Sequence, residues 1–183
     1  MSKLIANQTA GMVRDGATAL EALNDYELAG AGIPGAIVQL ETFYHISGDN
    51  ADLGINLAKA YVGYALGWVE PLYEEYEVDG KMEESDEQRT RARNLYLRGR
   101  DIALHQLNVR KKGVEEAIKG GEDSLQKYLK KLKSKHDAPA LFWAGSAWGA
   151  AIEMSRDRPD LIVDLPTAKA LVQCAHELDP SYY

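Results

Sequence analysis

LFWAGSAWGAAIEMSRDRPDLIVDLPTAKALVQCAHELDP, residues 141–180, reads as two helices around a turn and decides the fold of this 183-residue chain. In the first half, large and small residues alternate: Phe142, Trp143, Gly145, Trp148, Gly149, Ala150 and Ile152. That pattern sets aromatic knobs beside gaps where a neighbouring backbone can approach closely. In the second half, Ala168, Val172 and Ala175 share one helical face, and Pro180 stops the helix.

Small residues on that face, closed by a proline, are the second-helix pattern of a tetratricopeptide-type repeat. An earlier segment echoes it. Gly63, Ala65, Leu66 and Gly67 match Gly145, Ala147, Trp148 and Gly149, while Ala92, Leu95, Tyr96, Gly99 and Ile102 match Ala168, Leu171, Val172, Ala175 and Leu178. The offsets, 82 residues from Gly63 to Gly145 and 76 from Ala92 to Ala168, exceed a repeat of ~34 residues, so an element is inserted between the hairpins. The expected fold is all-α: tetratricopeptide-like hairpins stacked into a right-handed α-solenoid or bundle. One domain, 1–183, would comprise N-terminal helices (1–50), a first hairpin (51–110), an inserted helix (111–136) and a second hairpin (137–183). The last hairpin would expose one apolar side, covered by a partner or by further chain.

Composition narrows the function. A 45% hydrophobic content supports a real core at this length, and a net charge of −7 argues against a nucleic-acid partner. Cys174 is the one cysteine, so no intrachain disulfide forms, and its place between Leu171 and Leu178 is that of a core thiol. No apolar run of 18 residues is present.

Working along the chain, an amphipathic helix is expected over Ala6–Leu28, ended by AGAGIPG, with Pro34 in the first turn of a short helix that reaches Ile46. Gly30, Gly32 and Gly35 spell G-x-G-x-x-G, but the helical pattern before them makes this a connector and not a dinucleotide site. Asp49 or Asn50 caps a long helix over Ala51–Tyr76, striped by Leu53, Leu57, Tyr61, Tyr64, Ala65 and Trp68 and kinked near Pro71. Between Glu70 and Glu87, nine acids face only Lys81, which reads as a solvated loop with a Ser85–Gln88 capping box opening a helix at about Asp86. Arg89, Arg91, Arg93, Arg98 and Arg100 alternate around that helix, to be solvated or paired. The inserted element, Gly113–Lys135, breaks at Gly120-Gly121 and gathers Leu125, Tyr128, Leu129 and Leu132 on one side, a surface helix or one that lies on anionic lipid. Asp137, Asp157 and Asp164, each two residues before a proline, are read as helix caps.

Chemistry is thinly marked. His45, His105, His136 and His176 are scattered without zinc spacing, and no P-loop, G-x-S-x-G or C-x-x-C occurs. The acids lie in the stretch read as a solvated loop, where no raised pKa is expected. The reading is therefore non-enzymatic, with no catalytic residue, metal or cofactor. Stacked hairpins enclose a groove, and aromatics lining it near an arginine would suit a small organic acid or a partner helix. Trp68, Tyr96, Trp143 and Trp148 are the candidate ligand- or partner-binding residues.

The runs RARNLYLRGRDIAL (91–104) and DAPALFWAGSAWGAAIEMSRDRPDLIVDLPTAKALVQCAHELDPSYY (137–183) resemble the T component of TRAP transporters, a family of periplasmic tetratricopeptide-like proteins. The resemblance covers about Ala51 to the end and is most specific in the last 45 residues or so. It implies a lipoprotein that partners the transporter's solute-binding P component, a homotrimer, and a pore through each subunit for an organic-acid or hydrophobic ligand. It brings no catalytic residue. Met1 stands where a lipoprotein would carry its acylated cysteine, so the membrane anchor is an inference from the family, and family chains continue for further helices beyond the position of Tyr183. The alternative reading is a helical-repeat scaffold lipoprotein of the cell envelope that binds partner peptides and has no transport role.

Overall fold

The computed structural model describes residues 22–155 and 158–182. These form helices α1 (Tyr26–Ile46), α2 (Ala51–Tyr64), a π-helical turn (Ala65–Val69), α3 (Glu70–Val78), α4 (Met82–Arg110), α5 (Val114–Lys119), α6 (Glu122–Leu129), a 3-10 turn (Lys135–Asp137), α7 (Ala138–Glu153), α8 (Pro159–Ile162) and α9 (Leu165–Leu178). Among the described residues there is no strand.

Contacts follow chain order. α1 packs on α2, α2 and α3 pack on α4, α4 packs on α7, and α7 packs on α9. One continuous apolar core results, running from Ile37 to Ala175. α7 lies at its centre because its residues leave room on two sides: Ala144, Ala147 and Ala151 have no exposed surface, and Leu141, Trp143 and Trp148 fill the spaces between neighbours. At Gly145 the approach to α9 is so close that an added Cβ would lie 2.6 Å from Val172 Cγ2 and 2.7 Å from the Ala168 carbonyl oxygen. The gap expected at Gly145 therefore receives the backbone of the second helix. Ala92, Tyr96 and Ile102 in α4, and Ala168, Leu171 and Ala175 in α9, turn inward as their spacing predicts.

Several expectations are corrected. The helix over Ala6–Leu28 lies mostly outside the described residues, and where its end is described the chain does the reverse: a helix begins at Tyr26, capped by the Asp25 carboxylate, which accepts from the Leu28 N–H at 2.9 Å. AGAGIPG is not a connector. α1 runs straight through it, because Pro34 forfeits a single N–H while Ala29, Ile37 and Leu40 are buried. Asn50, one of the two caps considered, accepts from the Leu53 N–H at 3.1 Å.

The acidic stretch is no loop either. α3 and α4 consume nearly all of it, leaving a turn at Asp79–Lys81 with Gly80 at φ +73°. α4 starts at Met82 without a side-chain cap, and Ser85, expected to cap, is buried inside the helix. Asp137 and Asp164 occupy cap positions but make no capping hydrogen bond, so proline pre-organisation acts there alone. Asp157 lies outside the described residues.

The inserted element breaks as its Gly-Gly predicts, with Gly121 at φ +81°. Its apolar side is not available to lipid: Leu125, Tyr128, Leu129 and Leu132 are all buried, and α6 packs on α9. No helix among the described residues is long and apolar enough to cross a membrane.

Candidate functional site

Pro71 organises the first of three sites. It has no N–H, so the Gly67 carbonyl, four residues earlier, is denied the donor that an ordinary α-helix would offer. The helix widens into the π turn just before it, and the Tyr26 hydroxyl from α1 donates to the Gly67 carbonyl instead. In return the Trp68 indole N–H donates to the Tyr26 carbonyl at 3.2 Å. Trp68 stacks between Tyr26 (ring centroids 5.0 Å apart) and Tyr64 (6.1 Å). Arg91 closes the row, its guanidinium 5.6 Å from the Tyr64 ring centroid and 3.1 Å from the Tyr64 hydroxyl. Trp68 is thus already engaged by two other rings.

Tyr96 and Trp148 belong to a second group. The Tyr96 hydroxyl, on a side chain only 1% exposed, donates to the Glu70 carboxylate at the start of α3. Burial raises the Glu70 pKa; the Tyr96 hydrogen bond works against this, and nearby Glu153 and Glu74 add to it. That corrects the expectation that no acid in the stretch has a raised pKa: Glu70 is drawn inward by the π turn and Pro71. Burial, with the Glu70 carboxylate second, pushes the Tyr96 phenol well above its usual range. One helical turn further along α4, the Arg100 guanidinium lies 4.7 Å from the Trp148 ring centroid. Cation–π attraction holds it there. The Trp148 indole N–H is buried and has no hydrogen-bond partner.

Trp143 lies behind a third feature. Its indole N–H donates to the Tyr182 hydroxyl at 3.0 Å, and Phe142 meets both rings edge-on. Tyr182 in turn lines a cleft of about 640 Å³ where α2 begins and α4 ends, together with Asp52, Gln106, Arg110, Lys135 and His136. Arg110 Nε donates to Asp137 at 2.6 Å, tying the end of α4 to the start of α7 across the inserted element.

The four aromatics therefore fall on three features. Arg100, one helical turn after Tyr96 on α4, reaches Trp148; Trp68 and Trp143 belong to the other two features. Sequence reasoning missed Gln106. Its signal is a polar side chain in the apolar stripe of α4, beside Ile102, Ala103 and Leu107, where it is 1% exposed. It also missed Glu41, which receives Arg98 through two hydrogen bonds (2.8 and 2.9 Å) and the Tyr61 hydroxyl at 2.8 Å. Burial alone would raise the Glu41 pKa, but these donors bring it below the usual value; the same burial and bond push Tyr61 up to about 12. Burial likewise pushes the Cys174 thiol up to about 11, away from nucleophilic reactivity. Among the described residues no group of three or more His, Cys, Asp or Glu side chains is placed to hold a metal.

A protein of Treponema pallidum (strain Nichols), described only as an uncharacterized protein, is 27% identical over 160 residues, 87% of this chain and 49% of its own length. The chain thus spans about half the length of that curated relative. A family model described as TRAP transporter T-component matches residues 23–183. That match takes in every described helix from α1 to α9, and the chain belongs to the TRAP transporter T-component family.

Proposed function

We propose that this protein is an accessory component of a TRAP-type transporter that works on the periplasmic side of the membrane. It docks the solute-binding P component and holds or passes a small organic-acid or hydrophobic ligand. The observation that carries this is the family match over residues 23–183. The helix order supports it: hairpins packed in chain sequence are what a tetratricopeptide-like stack requires, and such stacks present extended surfaces to partner proteins. A right-handed superhelical course, assembly into trimers and a lipid anchor complete the proposal. No step in it needs catalysis.

Light scattering on a sizing column tests the docking. The chain is run alone, then mixed with the TRAP solute-binding proteins encoded in the same genome. A co-eluting complex of defined stoichiometry is expected with one of them. Separate elution of all components at micromolar concentration would overturn the transport role and leave the envelope scaffold as the better reading.

A further inference from the structure

The cleft between the start of α2, the end of α4 and the start of α7 carries an unmet hydrogen bond at its base. The Gln106 side chain lies flat against Gly54, where an added Cβ would be 2.3 Å from Nε2. Its amide nitrogen donates to the Gly48 carbonyl at 2.6 Å. Its carbonyl oxygen is buried and has no partner. A buried acceptor in that state is a cost to the fold unless something supplies a donor.

Charges of both signs surround it. Lys135, His136 and Arg110 bring donors, and Asp137 takes only the Nε of the five N–H groups that a guanidinium carries. Asp52 and Asp179 bring carboxylates to the same cleft. A plain anion would be repelled by the two aspartates, and a plain cation by Arg110 and Lys135. A molecule bearing both signs satisfies both walls. The Gln106 oxygen adds a constraint: it needs an N–H or O–H, which a carboxylate lacks and an ammonium group has three times over.

We infer that this cleft binds a small zwitterion of the free amino-acid class, its carboxylate toward Arg110, Lys135 and His136 and its ammonium group toward Asp52 and the Gln106 carbonyl. This rests on the reading that the chain holds a small ligand and specifies that ligand's chemistry. Docking to a solute-binding protein is measured separately and does not depend on it.

Calorimetric titration of the whole chain with the twenty free amino acids, each beside its N-acetyl and carboxamide forms, tests the inference. At least one free amino acid is expected to bind about tenfold or more tightly than either blocked form, since each block removes one charge-assisted contact. Asp52→Asn and Lys135→Gln, both at exposed positions, should each weaken that binding by about tenfold while the chain keeps its helical circular-dichroism spectrum. Three results would overturn it. No free amino acid binds; or the N-acetyl form binds as well as the free one, which marks a carboxylate site; or both variants bind like the wild type, which places the ligand elsewhere.

Discussion

Gly145 and Gly149 lie one turn apart on α7, but only the first presses against a neighbour. A Cβ at Gly145 would meet Val172 and the Ala168 backbone, whereas at Gly149 nothing lies within 4 Å. Gly145→Ala should therefore destabilise the protein, by about 1–3 kcal/mol from overpacking. Gly149→Ala should stabilise it by up to ~1 kcal/mol through helix propensity. Urea unfolding followed by circular dichroism reads both; equal effects of the two would mean that α9 does not approach at Gly145. A second residue-scale expectation concerns Glu70. Its pKa is raised in the folded state, so the native protein binds the proton more readily than the unfolded chain. Stability from this group is then present below the unfolded carboxylate value and is lost as pH rises through the folded one. Glu70→Gln, whose amide oxygen still accepts from Tyr96, should be more stable than wild type at pH 7, with the advantage vanishing toward pH 4. A constant difference across that range would argue against burial as the cause.

Among the elements, α1 is the one whose attachment is most specific. Tyr26 fills the carbonyl that Pro71 leaves open, and Trp68 answers with its own N–H. Tyr26→Phe should cost about 1–2 kcal/mol. Made in a Pro71→Ala background, the same change should cost less, because residue 71 then has an N–H of its own to offer. A double-mutant cycle in urea measures the coupling, and additive losses would show that the two residues act independently. These contacts also explain what could be read from sequence and what could not. Periodicity foretold the burial of Leu53, Leu57 and Ala65, the break at Gly120-Gly121 and the close seam at Gly145, since each is a local consequence of spacing or of a missing Cβ. It failed at AGAGIPG, where three glycines and a proline signal a connector but burial of Ala29, Ile37 and Leu40 outweighs their low helix propensity. It failed again from Glu70 to Glu87, because a run of like charges says nothing about which carboxylate a phenol from another helix will reach. The aromatics were recognisable as important; their division among three features depends on long-range pairing that no spacing encodes.

For the described molecule as a whole, α1 and the central helix are held by different forces. α1 is tied to α4 by the Glu41–Arg98 pair, whose side chains are 28% and 45% exposed. α7, by contrast, carries no charged side chain before Glu153, and its seams with α4 and α9 are apolar apart from Arg100 over Trp148 and the Arg110–Asp137 pair at its start, whose carboxylate is buried away from added salt. Added electrolyte screens exposed pairs and leaves apolar burial intact or strengthens it. In ~1 M sodium chloride, where the screening length falls to about 3 Å, amide hydrogen exchange in α1 should quicken while that in α7 does not change. Equal acceleration in both would show that charge holds the centre too. An electrically blank helix at its centre thus lets this protein keep its core through swings in salinity that loosen α1, so osmotic stress would act on it at that one helix and spare the middle.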